Sequence, residues 1–132
     1  MIRRDLEIGR WHVEFYFAPD GYDIDHILDR MYYFGAGAKK LRRALRLMES
    51  GELNRGFTFA NSYDHLAIVV IGPTSSGAEF QDSLSHEIHH LAVNIAHGLG
   101  VDLQGETPAY VAGDSIRDLA DVVCELGCKS CH

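Results

Sequence analysis

Hydrophobic and polar positions along the chain predict three strands. Residues 11–17, WHVEFYF, are aromatic and β-branched with partial alternation, which is typical of a strand. Residues 56–60, GFTFA, predict a second strand. Residues 66–71, LAIVVI, predict a third that is apolar throughout and should be buried on both faces. Turn residues at 61–64 suggest that the last two strands form a hairpin, and the pattern leaves open which of them lies at the sheet edge.

Apolar residues at helical spacing predict four helices. The first helix carries Ile24, Ile27, Leu28 and Met31 on one face, and glycines or a proline mark most of the helix ends. The predicted helices cover residues 23–34, 38–50, 76–97 and 106–126. Together with the strands they predict an α+β fold, a short β-sheet packed on helices, in a single domain over residues 1–132.

The helix predicted over residues 76–97 has a defined start and a defined buried face. Ser76 and Glu79 have the spacing of a capping box, in which the Ser76 hydroxyl accepts from the Glu79 amide and the Glu79 carboxylate reaches back. At roughly 100° per residue, one apolar stripe should pack on the sheet. Its members are Phe80, Leu84, Ile88, Leu91 and Ile95.

The same helix carries the motif H-E-x-x-H, as His86, Glu87 and His90. Positions i and i+4 lie on one helix face, so His86 and His90 can direct two imidazole nitrogens to one Zn²⁺ ion. Glu87 can then act as the general base on a zinc-bound water. The histidines lie away from the apolar stripe, where they can line a cleft, and His89 is rotated away from the pair.

A catalytic zinc site usually has a third protein ligand, and the sequence offers several. Metzincins use a histidine six residues after the second motif histidine, but Ala96 occupies that position. His97 would lie roughly 10 Å along the helix axis from His90, too far to share the ion. We favour Glu106, at the start of the next predicted helix, over His97 or Asp102. An ordinary N-terminal glutamate, favoured by the helix dipole, is the alternative interpretation of Glu106.

Four segments together resemble a known class of protein. The segments NRGFTFAN (54–61), IVVIG (68–72), HEIHH (86–90) and GETPAY (105–110) are similar to short gluzincin-type zinc metallopeptidases of bacteria and their phages or mobile elements. The resemblance covers roughly residues 50–115. It implies a small zincin-like domain, one zinc held by His86, His90 and Glu106, and Glu87 as base. It implies no particular substrate.

The oxyanion formed during hydrolysis needs a second stabiliser besides zinc. Tyr110, one turn beyond Glu106, is the first candidate, with His97 and Tyr63 as weaker ones. Tyr110 is equally well explained as a half-buried packing residue. A non-catalytic zincin-fold binding protein of a phage or mobile element is the alternative function. The retained Glu87 favours an enzyme, because a structural zinc site has no use for that carboxylate.

Charge and targeting features narrow the class of partner. The formal net charge of −7 over 132 residues disfavours nucleic acid as a partner. The basic run KKLRRALR (39–46) is best explained as the solvated face of an amphipathic helix. Neither a targeting segment nor a membrane span is visible, so we expect a cytoplasmic protein with a peptide or protein substrate. The oligomeric state is not determined by the sequence.

The three cysteines all lie in the last nine residues, which is not a disulfide framework. Cys124, Cys128, Cys131 and His132 are compatible with a second zinc site. We favour a reduced, partly frayed tail over that site. The motif C-x-x-C-H also occurs in c-type haem attachment, which we disfavour because it requires export.

Overall fold

Four strands form one mixed sheet in the order β1-β2-β4-β3. The computed structural model describes residues 1–50, 56–98 and 106–127, with the backbone alone at residues 98, 106 and 107. The strands are β1 (Ile2–Ile8), β2 (Trp11–Phe17), β3 (Phe57–Asn61) and β4 (Leu66–Ile71). β1 pairs antiparallel with β2, β2 pairs parallel with β4, and β4 pairs antiparallel with β3.

The hairpin predicted from the third and second runs of apolar residues is confirmed as β3 and β4. β4 lies inside the sheet, and its residues from Ala67 to Ile71 are fully buried, as the unbroken apolar run predicted. β3 is therefore the edge strand of the pair, which the sequence left open.

The helices of the described residues cover both faces of the sheet. On one face lie α1 (Ile24–Tyr33) and α2 (Ala38–Glu49), and on the other lie α3 (Gly77–Gly98), α4 (Glu106–Asp118) and α5 (Ala120–Gly127). The predicted α+β fold class is confirmed. None of these helices is long and apolar enough to cross a bilayer.

Two hydrophobic cores, one on each face, hold the layers together. Under α3, the side chains of Phe15, Phe17 and Val69 project from the sheet into the first core. The predicted stripe of α3 is confirmed, because all five of its side chains are at most 3% exposed. In the second core, Tyr16, Ile68 and Val70 project the opposite way, toward α1 and α2. This alternation along β2 and β4 follows from the two-residue period of a strand.

Two features of the fold were not predicted. β1 went unrecognised because Arg3, Asp5 and Glu7 interrupt the apolar positions, although Leu6 and Ile8 alternate with charges and are buried. The last predicted helix is interrupted at Leu119, giving α4 and α5. Leu119 is fully buried, and its amide still donates to the carbonyl of Ser115 at 3.0 Å. The interruption therefore occurs at a buried leucine, and neither proline nor glycine stands at this position.

Candidate metal centre

The start of α3 fixes the register of the motif that follows it. The amide of Glu79 donates to the Ser76 hydroxyl at 3.1 Å, which confirms half of the predicted capping box. The Glu79 carboxylate does not return to the Ser76 amide. It accepts instead from the amide of Ser75 at 3.4 Å. From this cap, α3 runs without interruption through the motif to Gly98.

His86 and His90 lie one turn apart on α3, and their rings converge. The two Nε2 atoms are 3.2 Å apart, and the ring planes are at 83°. Two imidazole nitrogens on a tetrahedral zinc, each about 2.0–2.1 Å from the ion, lie about 3.3–3.4 Å apart. The separation also suits a hydrogen bond between the rings when one Nε2 carries a proton. The Nε2 separation is therefore compatible with a shared metal ion or with a hydrogen bond between the two rings.

Glu87 is buried beside this pair, with 3% of its surface exposed. The Thr58 hydroxyl, on the edge strand, lies 3.0 Å from Glu87 Oε1 and 3.3 Å from its main-chain oxygen, within donating distance of both. The other carboxylate oxygen, Oε2, is 4.0 Å from His86 Nε2. This separation is longer than the roughly 3.3 Å expected between two ligand atoms on one tetrahedral zinc, so Glu87 lies beside His86 without the spacing of a ligand.

The pKa of the Glu87 carboxyl lies above its ordinary value. Burial raises it, while the Thr58 hydrogen bond and the charges of His86 and His90 oppose the rise. A raised pKa is the direction expected of a carboxylate that must accept a proton near neutral pH.

A cavity of about 410 Å³ opens in front of these side chains. His86, Glu87 and His90 line it from α3, and Thr58 lines it from the edge strand. Lys40 and Arg43 of α2 line it from the other side of that strand. The cavity therefore wraps around the edge of the sheet, where the two helical layers meet.

Other candidates from the sequence lie elsewhere. His89 is directed away from the pair and lines a separate cavity with Pro108 of α4. His97 is exposed near the end of α3. Tyr110 and Tyr63 are 64% and 93% exposed, and neither is among the described residues that line the cavity of His86 and His90.

The predicted third ligand is not tested by these contacts. Glu106 begins α4, but its side chain lies outside the described atoms, as does residue 102. In the tail, Cys124 is exposed, and residues 128–132 lie outside the described part of the chain. Both zinc ligand sets that include these residues stay predictions.

A second group of potential metal ligands lies on β1 and β2. One ligand atom each from Asp5, His12 and Glu14 lies within 4.8 Å of the others. Glu14 is already occupied, because it accepts from Arg30 at 2.6 Å and pairs with Arg3 at 3.1 Å. Two guanidinium groups at this carboxylate disfavour a cation there. Among the described residues, no hydrogen bond from a guanidinium occupies His86 or His90, so we favour the histidine pair, although Lys40 and Arg43 line the same cavity.

The sequence did not predict that three further residues belong to this site. Thr58 is the polar position between two phenylalanines of the edge strand, and that alternation is the only indication of its role. Lys40 and Arg43 are exposed, as predicted for the solvated face of α2, but their position along this cavity was not predicted. The basic run was visible, but no local pattern shows which layer of the fold a helix joins.

Comparison with protein-family models, with curated proteins and with solved structures finds no match for this chain. The function of the protein must therefore be inferred from the site itself.

Proposed function

We propose that this chain is a zinc-dependent hydrolase of the gluzincin kind, acting on peptide bonds. One observation carries the proposal: His86 and His90 direct their Nε2 atoms to within 3.2 Å of each other beside a buried glutamate at a cavity. A zinc ligand pair, a carboxylate placed to act as base and space for a substrate are the parts that this chemistry needs. His86, His90 and Glu106 are the ligands of the proposed site.

Zinc bound there would act as a Lewis acid and lower the pKa of water. The residues of the chain supply the remaining steps. Glu87 accepts a proton at Oε2, the carboxylate oxygen nearer to His86, and returns it to the leaving amine. Thr58 holds the other oxygen, Oε1, and so orients the carboxylate. Burial of Glu87 keeps bulk water from competing for its proton.

The edge strand β3 can bind an extended peptide in the proposed enzyme. Among the described strands, β3 has a neighbour on one side only, which is β4, and Thr58 and Phe59 of β3 line the cavity. A peptide can pair with the free side of such a strand through main-chain hydrogen bonds. Main-chain pairing places peptide groups, rather than side chains, next to the motif residues. This arrangement favours a peptidase over other zinc hydrolases.

The proposal is tested by comparing Glu87→Gln with the wild-type protein. Glutamine keeps the size and polarity of the side chain but cannot accept a proton at neutral pH. Zinc content measured by mass spectrometry should stay near one equivalent, while hydrolysis of a mixed peptide library should fall by roughly a hundredfold to ten-thousandfold. Full activity in this variant would refute Glu87 as the base.

His90→Ala should lose both zinc and hydrolysis, because it leaves only His86 and Glu106 of the three proposed ligands. His89→Ala is the matched control, since it removes the adjacent histidine of the same helix, which does not line the cavity. A different set of results would identify a zincin-fold binding module. The wild-type protein would bind zinc but hydrolyse nothing, and the Glu87→Gln variant would keep the biological effect of the wild type in the native host.

A further inference from the structure

The cavity in front of the histidine pair has an unusual charge for this protein. The chain carries a formal net charge of −7, but two cations, Lys40 and Arg43, line the cavity. Glu87 is the one carboxylate among the described residues that line it, and Glu87 is buried and within hydrogen-bonding distance of Thr58. The accessible wall opposite the histidines is therefore positive.

The helix that supplies these cations is basic over its whole length. α2 has five cationic residues and a single acidic one, Glu49, in the sequence AKKLRRALRLME. Within the described part of the chain, neither Lys40 nor Arg43 has an ion-pair partner. The Lys40 ammonium lies 5.3 Å from the ring centroid of Phe59, on the edge strand. Lys40 is exposed to solvent, and this cation–π contact keeps its charge close to β3.

A peptide bound along the edge strand would lie next to these two cations. A peptide paired with β3 would direct alternate side chains to the α3 face, toward His86 and His90, and to the α2 face, toward Lys40 and Arg43. A carboxylate on the α2 face would reach one or both cations, and Arg is suited to bidentate contact with it.

We propose that Lys40 and Arg43 select peptide substrates that carry a carboxylate next to the scissile bond. The carboxylate belongs to an Asp or Glu side chain or to the C-terminus of the peptide. This proposal deepens the proposed hydrolase function and rests on it, because a bound peptide is a substrate only if the protein hydrolyses it. The charge selection itself needs only the cavity and the two cations.

The test measures binding, so that it does not depend on hydrolysis. Zinc-loaded Glu87→Gln protein is titrated with fluorescent peptides that differ only by Glu or Gln at one position, and anisotropy gives the Kd. We expect about tenfold tighter binding of the Glu peptide, the size of effect that one charge-assisted contact supports. Versions with a free or an amidated C-terminus show whether the side chain or the terminus supplies the carboxylate.

A matched pair of double variants locates the effect. Lys40→Ala with Arg43→Ala should reduce the preference to about twofold or less. Lys39→Ala with Arg42→Ala removes the same charge from the same helix at exposed positions that do not line the cavity, and should keep the preference. Lys40→Glu with Arg43→Glu should instead favour a Lys peptide over a Gln peptide. Circular dichroism confirms that each variant is folded.

Three results would overturn the inference. The first is equal binding of the Glu and Gln peptides. The second is no measurable binding of any carboxylate peptide by the folded protein. The third is an equal loss of the preference for the Glu peptide in the two double alanine variants. The last result would mean general attraction to a basic helix. Failure of the proposed function is a separate result. If the protein binds no zinc but still prefers carboxylates through Lys40 and Arg43, the hydrolase proposal fails and the charge selection stands.

Discussion

Thr58 is the residue that connects the edge of the sheet to the motif helix. Its hydroxyl lies 3.0 Å from a carboxylate oxygen of Glu87, a residue with 3% of its surface exposed. A buried carboxylate needs such a partner, because burial without one is costly. One hydroxyl therefore both satisfies the carboxylate and fixes its orientation toward the cavity.

Replacing Thr58 by valine should weaken catalysis without removing the metal. Valine has nearly the same shape but no hydroxyl, so Glu87 loses a hydrogen bond of the charged kind, and we expect a rate loss of roughly tenfold or more. Zinc content should not change, since Thr58 is not a ligand. Steady-state kinetics and metal analysis check both parts. Thr58→Ser keeps the hydroxyl and should keep most of the activity, and a fully active Thr58→Val protein would contradict this role.

Glu14 is a second buried carboxylate, with a structural role on β2. It is fully buried, accepts from the Tyr16 hydroxyl at 2.5 Å and from Arg30 at 2.6 Å, and pairs with Arg3. Burial alone would raise the pKa of Glu14, but the hydrogen bonds from Arg30 and Tyr16 and the charge of Arg3 bring it below the ordinary value.

Glu14→Gln should therefore destabilise the protein in a pH-dependent manner. Because the pKa of Glu14 is lower in the folded state, its contribution is fully present above its ordinary value of 4.5 and is lost as the pH falls through the lowered value. At pH 7 the free energy of unfolding should fall by about 1.5–3 kcal/mol, and at pH 3 by less. Urea denaturation at both pH values measures this. Asp82→Asn, at an exposed position with no ion pair among the described residues, is the control, and a loss independent of pH would contradict the assignment.

At the scale of single elements, α3 serves two functions with two of its faces. The stripe from Phe80 to Ile95 packs into the core under the sheet, and His86 and His90 lie on the cavity side. Glu87 lies between the two faces and is the one motif residue that is buried. Core packing of α3 therefore sets the position of the site.

Leu84→Ala should cost about 2–5 kcal/mol in unfolding free energy, because the side chain is 1% exposed and its loss leaves a cavity. Chemical denaturation measures the change. Ser85→Ala alters the next residue of the same helix, which is exposed, and should change stability by less than about 0.5 kcal/mol. Similar values for the two variants would mean that α3 does not pack through this stripe.

At the scale of the whole molecule, the site lies where the two helical layers meet at one sheet edge. α3 contributes the motif from one face, α2 contributes two cations from the other, and β3 lies between them. Each element belongs to a different part of the chain, so the site exists only in the folded protein. Metal binding and folding should therefore be linked.

Zinc should raise the melting temperature of the protein, and a chelator should lower it again. At a free zinc concentration of about one hundred times Kd, the stabilisation is about 2.7 kcal/mol, or on the order of 10 °C for a domain of this size. Differential scanning fluorimetry with zinc and with EDTA measures the shift. His90→Ala should abolish it, and Asp5→Asn should not. The opposite pattern would place the metal at the group formed by Asp5, His12 and Glu14.

Features that depend on neighbouring residues could be predicted from the sequence. The spacing of His86 and His90, the buried stripe of α3, the Ser76 cap and the burial of β4 each follow from a helical or strand period, which a short segment specifies alone. β1 was not predicted, because charged residues interrupt its apolar positions.

Features that depend on long-range pairing became visible only in the folded arrangement of the elements. The sheet order made β3 the edge strand, brought Thr58 to Glu87 over 29 residues of chain, and placed the exposed cations Lys40 and Arg43 along the cavity. Local periodicity shows which face of an element is apolar but not which neighbour covers it. Strand order and helix layer are set by the packing of both cores together, so no segment contains them.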